Sequence, residues 1–272
     1  MEIPDNTVFN KNTLTDGSDD FTIELWMKPN AEQPGAEDIR DLIGKQDLSG
    51  FPVTIINTFV LRYVRTGAAS NAGKIYFDRI SDSTFSNSAF GFSNARVDDG
   101  HWHHVALGKE GANLNLYIDG ILDTTVADVT AGSTINSSDV IIGRRTATDV
   151  ANAFAGQMDE IKFFGVARSA VQIQADMASA NPSTSGLEAY WDAQDDTSTD
   201  NAQELDDVTS NDNKGRLGDN SGADPEDPLW AIRVTDNANS GSNTLREAII
   251  EANDDTDKDY IDFSLPSGDE RI

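Results

Sequence analysis

Leu114-Asn115-Leu116-Tyr117-Ile118-Asp119-Gly120 decides the fold. Its side chains alternate toward and away from a core, the period of two expected of a half-buried strand. Asp119-Gly120, set between two such runs, predicts a tight hairpin, because a type I′ turn takes positive φ at both central residues. Upstream, Asp99-Gly100-His101-Trp102-His103-His104-Val105-Ala106-Leu107 supplies a second strand after a glycine turn. Further out, Phe21-Thr22-Ile23-Glu24-Leu25-Trp26-Met27 and Lys74-Ile75-Tyr76-Phe77 repeat the pattern. From Phe21 to about Phe164 short alternating runs are split by Gly, Asn, Asp and Ser, which predicts an all-β sandwich or barrel.

Two stretches read as helical. Ser169 is positioned to cap Ser169–Met177, with Val171, Ile173 and Met177 as its apolar contacts. Thr244 and Glu247 form a capping-box pattern at the head of Thr244–Asn253, where Leu245, Ala248, Ile249 and Ala252 make one stripe. Residues 192–227 are dense in Asp, Asn, Ser, Thr and Gly and read as a loop or linker. Two islands within or beside that stretch resist the reading: Gly186-Leu187-Glu188-Ala189-Tyr190-Trp191, which alternates as a strand does, and Lys214-Gly215-Arg216-Leu217-Gly218.

Over 272 residues, 20 basic side chains face 47 acidic ones, a formal net charge of −27. That field repels nucleic acid and anionic lipid, and argues against both as partners. It also offers hard oxygen ligands, which suit Ca²⁺; solubility in salty surroundings is the plainer use of the same charge. With no cysteine, disulfides, thiol catalysis and thiolate metal sites drop out together. No run approaches the ~18 apolar residues of a membrane helix, so no membrane insertion is expected. The first residues lack the basic and apolar regions of a signal peptide.

The hairpin also resembles the central "W-H-H-V-A" and "L-Y-V-D-G" strands of bacterial laminin-G-like (concanavalin A-like) domains. Phe21–Pro29 is similar to that family's "F-T-I-x-x-W-V-K-P". Val140-Ile141-Ile142-Gly143 resembles "I-x-I-G", and Phe154-Ala155-Gly156-Gln157-Met158-Asp159-Glu160-Ile161 resembles "F-x-G-x-I-D-E-V". The resemblance implies an antiparallel jelly-roll β-sandwich with one or two short helices. Glu2-Ile3-Pro4-Asp5 is similar to a segment that follows a first strand in the family, which implies a front truncated before Met1. Gly186–Trp191 and Gly215–Gly218 resemble the family's closing "G-L-V-A-Y-W" and "G-x-L-G". The expected domain is therefore residues 1–230, with a core at 1–180 and a closing segment at 181–230. Residues 231–272, with Asn243-Thr244-Leu245-Arg246-Glu247-Ala248-Ile249, resemble the "S-L-R-E-A" cap of a parallel β-helix, here truncated. Tyr260–Leu265 is a spare strand that could pair with an open sheet edge, in cis or between chains.

For a metal, the resemblance implies a structural Ca²⁺ at the sandwich rim with Asp159 as ligand, Asn152 and Asp149 compensating for a missing partner; the alternative is that Asp159 only caps a turn. For a ligand, the aromatic candidates are Tyr63 and Phe90, with Phe51 and Phe85. Arg144 and Arg145 are placed to hold an acidic glycan or a carboxylate; core packing is the competing use of each. His101 and His103 would share a strand face, as a zinc pair needs, but no further ligands stand out. Glu204-Leu205-Asp206-Asp207-Val208-Thr209 only approaches the Glu-x-Asp-x-x-Glu strand of related glucan hydrolases. Asp192, Asp195, Asp196, Asp200, Asp206, Asp207 and Asp212 do not follow EF-hand spacing.

Together these imply a non-catalytic, calcium-stabilised adhesion-type module that binds a glycan or an extracellular protein. It would be part of a larger, secreted or surface-exposed bacterial chain. A structural spacer, or a lyase or hydrolase on the same sandwich, are the other classes.

Overall fold

The computed structural model describes residues 1–12, 17–33, 35–50, 54–81, 88–149, 152–179, 182–192 and 204–216, the side chains of Thr54 and Glu204 aside. It also gives the backbone of 231–234 and 260–263. Two antiparallel sheets form the sandwich. In spatial order the first holds eight strands: β13 (Glu204–Leu205), β14 (Gly215–Arg216), β1 (Glu2–Ile3), β10 (Val140–Ile142), β3 (Ile39–Gly50), β4 (Thr54–Val64), β5 (Ile75–Ile80) and β6 (Ser88–Phe92). The second holds six: β12 (Leu187–Trp191), β11 (Gly156–Phe164), β2 (Phe21–Pro29), β7 (His103–Glu110), β8 (Asn113–Ile118) and β9 (Ile121–Ala127).

The alternation seen in the sequence sorts the side chains. Phe21, Ile23, Leu25 and Met27 of β2 point inward with Val105 and Leu107 of β7 and Leu114, Leu116 and Ile118 of β8. Phe59 and Leu61 of β4 and Ile75 and Phe77 of β5 meet them from the other sheet. At the centre Phe163 lies 5.1 Å from Phe9, 5.5 Å from Phe59 and 6.0 Å from Phe21 between ring centroids. Edge-on, tilted and stacked aromatic pairs of this kind add to the burial term that holds the sheets together. The β8–β9 turn is the expected one: Asp119 and Gly120 have φ of 52° and 74°.

Both islands of the polar stretch are strands. Leu187–Trp191 pairs with β11, and Gly215–Arg216 pairs with β1. Met1 contributes too, its amino group donating to the Ile142 carbonyl at 2.8 Å.

Helix α1 (Ala170–Met177) starts where expected, with a capping box between Ser169 and Gln172. One correction applies. Ile173 is buried against Ala106 and Tyr117, but Val171 is 75% exposed, so the helix docks through a narrower stripe than the sequence suggests. The Thr244–Asn253 helix lies outside the described residues. Within the chain, the tail strand Tyr260–Phe263 (β16) pairs in parallel with Ala231–Val234 (β15). Among the described residues no helix is long and apolar enough to cross a membrane.

Candidate functional site on the outer face of the eight-stranded sheet

Residues directly opposite in a ladder share a sheet face. Asp41, Arg62, Tyr76 and Phe92 form one such row across β3, β4, β5 and β6. Gly44, Val60, Asp78 and Phe90 form the next. Both rows face away from the core, because Leu61, Ile75 and Phe77, their chain neighbours, point into it.

Arg62 organises this face. Its Nε donates to Asp41 Oδ1 at 2.9 Å, its Nη1 to Asp78 Oδ2 at 2.9 Å and its Nη2 to Gln46 Oε1 at 2.7 Å. Gln46 Nε2 returns to Asp41 Oδ2 at 2.5 Å, and Asn57 Nδ2 donates to Asp78 Oδ1 at 2.7 Å. The planar guanidinium supplies donors in the fixed fork that this arrangement needs. Burial works against the Arg62 charge, but Asp78 and Asp41 raise its pKa above the ordinary arginine value. Burial raises Asp78 above the usual carboxylate range, against the pull of Arg62 and Asn57. Both carboxylates are committed to Arg62.

Beside the network is an aromatic platform. Tyr76 lies 5.0 Å from Phe92 and 6.4 Å from Phe90 between centroids, and the Arg62 guanidinium sits 5.7 Å over the Tyr76 ring. Burial, followed by the charge and hydrogen bond of Asp78, raises the Tyr76 phenol well above its ordinary pKa. Tyr76 and Phe92 are half-buried, whereas Phe90 is 58% exposed. Gly91 lets the strand lie close here, since a Cβ on it would come within 2.7 Å of Phe77. Such a surface can stack on the C–H face of a sugar ring while the polar border meets its hydroxyls.

The expected ligand residues divide. Phe90 is on the platform. Arg145 sits at the end of the network, 3.0 Å from Glu37 and 3.8 Å from Asp41, so carboxylates already surround it. Tyr63 is corrected: it is fully buried, edge-on to Phe154 at 6.0 Å with its hydroxyl on Thr66, and belongs to the core. Arg144 is also buried and offers no exposed guanidinium to an acidic ligand. Phe51 and Phe85 lie outside the described residues. The sequence reading missed Arg62, Asp41, Asp78, Gln46, Asn57 and Tyr76. The available signal was Tyr76-x-Asp78 and Arg62 alternating with core residues, and it needed the strand register to become a cluster.

The expected calcium ligands fall in two places. Asn152 Nδ2 donates to Asp149 Oδ1 at 3.1 Å, while Asn152 Oδ1 accepts from Glu37 N–H at 3.5 Å. Asp159 is buried in β11, where its Oδ1 accepts from Glu160 N–H at 2.8 Å across a bulge that puts Glu160 at φ 53°. Among the described residues no group of three or more His, Asp or Glu side chains is arranged to hold an ion.

The histidine reading is corrected as well. β7 begins at His103, so exposed His101 does not share a strand face with it. His103 instead clamps two turns, with Nδ1 2.9 Å from Asp119 and Nε2 3.0 Å from Asp99. His104 is buried against Trp26 at 5.3 Å, with Glu24 at 3.4 Å. Burial lowers the His103 pKa, but the Asp119 and Asp99 hydrogen bonds outweigh it and the net shift is upward. A histidine raised in the folded state stabilises fully below its unfolded value and loses that contribution as pH rises through the folded one. Thermal melts from pH 6 to 9 should therefore show wild type losing more stability than His103→Gln; parallel curves would mean the clamp is uncharged. Asp206 and Asp207 are structural too. Asp207 accepts from the N–H groups of Tyr190, Thr209 and Asn213, and Asp206 pairs with Lys214 at 2.9 Å.

The model of the concanavalin A-like lectin/glucanase superfamily matches residues 4–174. The chain belongs to that superfamily. Among solved structures, this concanavalin A-like domain is similar to a proposed carbohydrate-binding protein from Bacteroides ovatus. Identity is 18% with a TM-score of 0.54, over 78% of this chain and 54% of the other. It also matches the botulinum neurotoxin serotype G binding domain at 15% identity and TM-score 0.44, over 63% of this chain and 38% of that one. The concanavalin A-like chain thus spans about half or less of these relatives' lengths. No curated protein matches it significantly.

Proposed function

We propose that this concanavalin A-like domain is a non-catalytic module that binds a neutral glycan on the Tyr76–Phe90–Phe92 platform, within a larger secreted or surface-exposed bacterial protein. The observation that carries the reading is the exposed Phe90 ring beside a tyrosine whose ring lies under the Arg62 guanidinium. Neutral sugar is preferred to acidic because Arg62 and Arg145 are each countered by carboxylates and the chain carries −27. The Bacteroides ovatus fold relative, described for carbohydrate binding, supports the same class. An extracellular protein partner or a pure spacer role are the outcomes to which a failed test would point.

Phe90→Ala tests the platform. Losing the stacking face should weaken oligosaccharide binding by about tenfold or more, ~1.4 kcal/mol. The melting temperature should barely change, because an exposed substitution shifts stability by only about 0.5 kcal/mol. Isothermal titration of wild type and variant with neutral oligosaccharides reads this, and equal affinities would remove Phe90 from the site.

Calcium enters as a separate proposal at Asp159. Because its Oδ1 already caps the bulge, backbone carbonyls would have to supply most of the oxygens that the ion takes. Saturation a hundredfold above Kd should stabilise the fold by about 2.7 kcal/mol. The expected result is a melting temperature several degrees higher in Ca²⁺ than in EDTA. The same temperature in both removes calcium.

A further inference from the structure

Lys45 occupies a core-facing position. It lies opposite Val140 on β10 and Phe59 on β4, both core residues, and its side chain is fully buried. Its Nζ reaches Asp5 Oδ1 at 2.5 Å and the Ser138 carbonyl at 2.5 Å. Asp5 follows β1, and its own N–H donates to Asp139 Oδ1 at 2.9 Å. Burial, followed by neighbouring Glu2, raises the Asp139 pKa above the ordinary carboxylate value.

We propose that Lys45 and Asp5 condense into an intramolecular amide, Nζ–Cγ, which staples the segment after β1 to β3. Within the ion pair a proton passes from the ammonium to the carboxylate, giving amine and carboxylic acid. The Nζ lone pair then attacks Cγ, with the Ser138 carbonyl orienting the amine. The proton that Nζ sheds on forming the bond passes to the departing hydroxyl. The Cγ–O bond breaks and one water leaves; nothing is oxidised or reduced. Fixed contact supplies the proximity that makes an otherwise slow condensation feasible. The Asp5 side chain is 31% exposed, which gives the water a way out. The ring closed by this bond spans forty positions of the chain, so the cross-link restricts the unfolded chain much as a disulfide would, in a protein with no cysteine.

Intact-mass measurement on the 29.4 kDa chain tests it. Wild type should be about 18 Da below the mass of its sequence, one water lighter, and Lys45→Arg should have its full mass. Asp-Gly steps such as Asp99-Gly100 can lose the same water as a succinimide, so digestion is decisive. A branched peptide joining Asp5 to Lys45 is expected, and a wild-type digest in which Lys45 is always free overturns the proposal.

Discussion

Arg62→Ala should lower the unfolding free energy by about 3–5 kcal/mol, the range for breaking a buried ion pair from one side. The loss exceeds that of one salt bridge because Arg62 serves two carboxylates and an amide at once. Asp41 and Asp78 are both almost wholly buried and would be left facing each other's charge. Asp78, already above the ordinary carboxylate range, would take up a proton and recover part of the cost. Arg62→Lys keeps the charge but cannot reach three partners from one ammonium, so it should fall between wild type and alanine. Replacing the whole set, as Arg62→Met with Asp41→Asn and Asp78→Asn, should cost less than Arg62→Ala alone, since no uncompensated charge remains. Denaturant unfolding measures all of these. A loss below about 1 kcal/mol for Arg62→Ala would mean that water reaches the network freely.

Trp191→Ala should cost about 3–5 kcal/mol, as large-to-small changes at fully buried aromatics do. The indole stacks on Phe9 at 6.2 Å, and its Nε1 donates to the Asn213 carbonyl at 2.8 Å. Asn213 also donates through Nδ2 to the Glu188 carbonyl at 3.0 Å. Trp191 therefore fastens residues 204–216 to the six-stranded sheet, and hydrogen exchange in that segment should rise with the loss of stability. Trp191→Phe retains much of the packing but drops the hydrogen bond to the Asn213 carbonyl, so it should cost less. Wild-type stability for Trp191→Ala would mean that the closing segment is not part of the cooperative unit.

The sandwich was legible in the sequence because its signals are local. Alternation in β2, β7 and β8 has one physical reading, and Asp119-Gly120 satisfies a φ requirement that few other pairs meet. The Ser169 cap needs only Gln172, three residues on. The site is different in kind. Asp41, Arg62 and Asp78 come from three strands, and a charged residue alternating with core residues reads as solvent-facing until its neighbours are known. A bulge between Asp41 and Ile43 shifts the register that brings Asp41 opposite Arg62. Tyr63 was misplaced for the opposite reason. Its spacing from Leu61 points inward, and Thr66 satisfies the hydroxyl there. Arg145 looked free because Glu37 and Asp41 are distant in sequence. The histidine pair failed because the strand starts two residues later than the alternation suggests.

The central claim is that the Tyr76–Phe90–Phe92 platform holds a neutral glycan. A glycan array carrying neutral and acidic oligosaccharides, probed in parallel with wild type and with Tyr76→Ala/Phe90→Ala, tests it most directly. The account predicts hits among neutral glycans that disappear in the double variant while its folded spectrum is retained. Binding that survives in the variant, or is confined to acidic glycans, would contradict it.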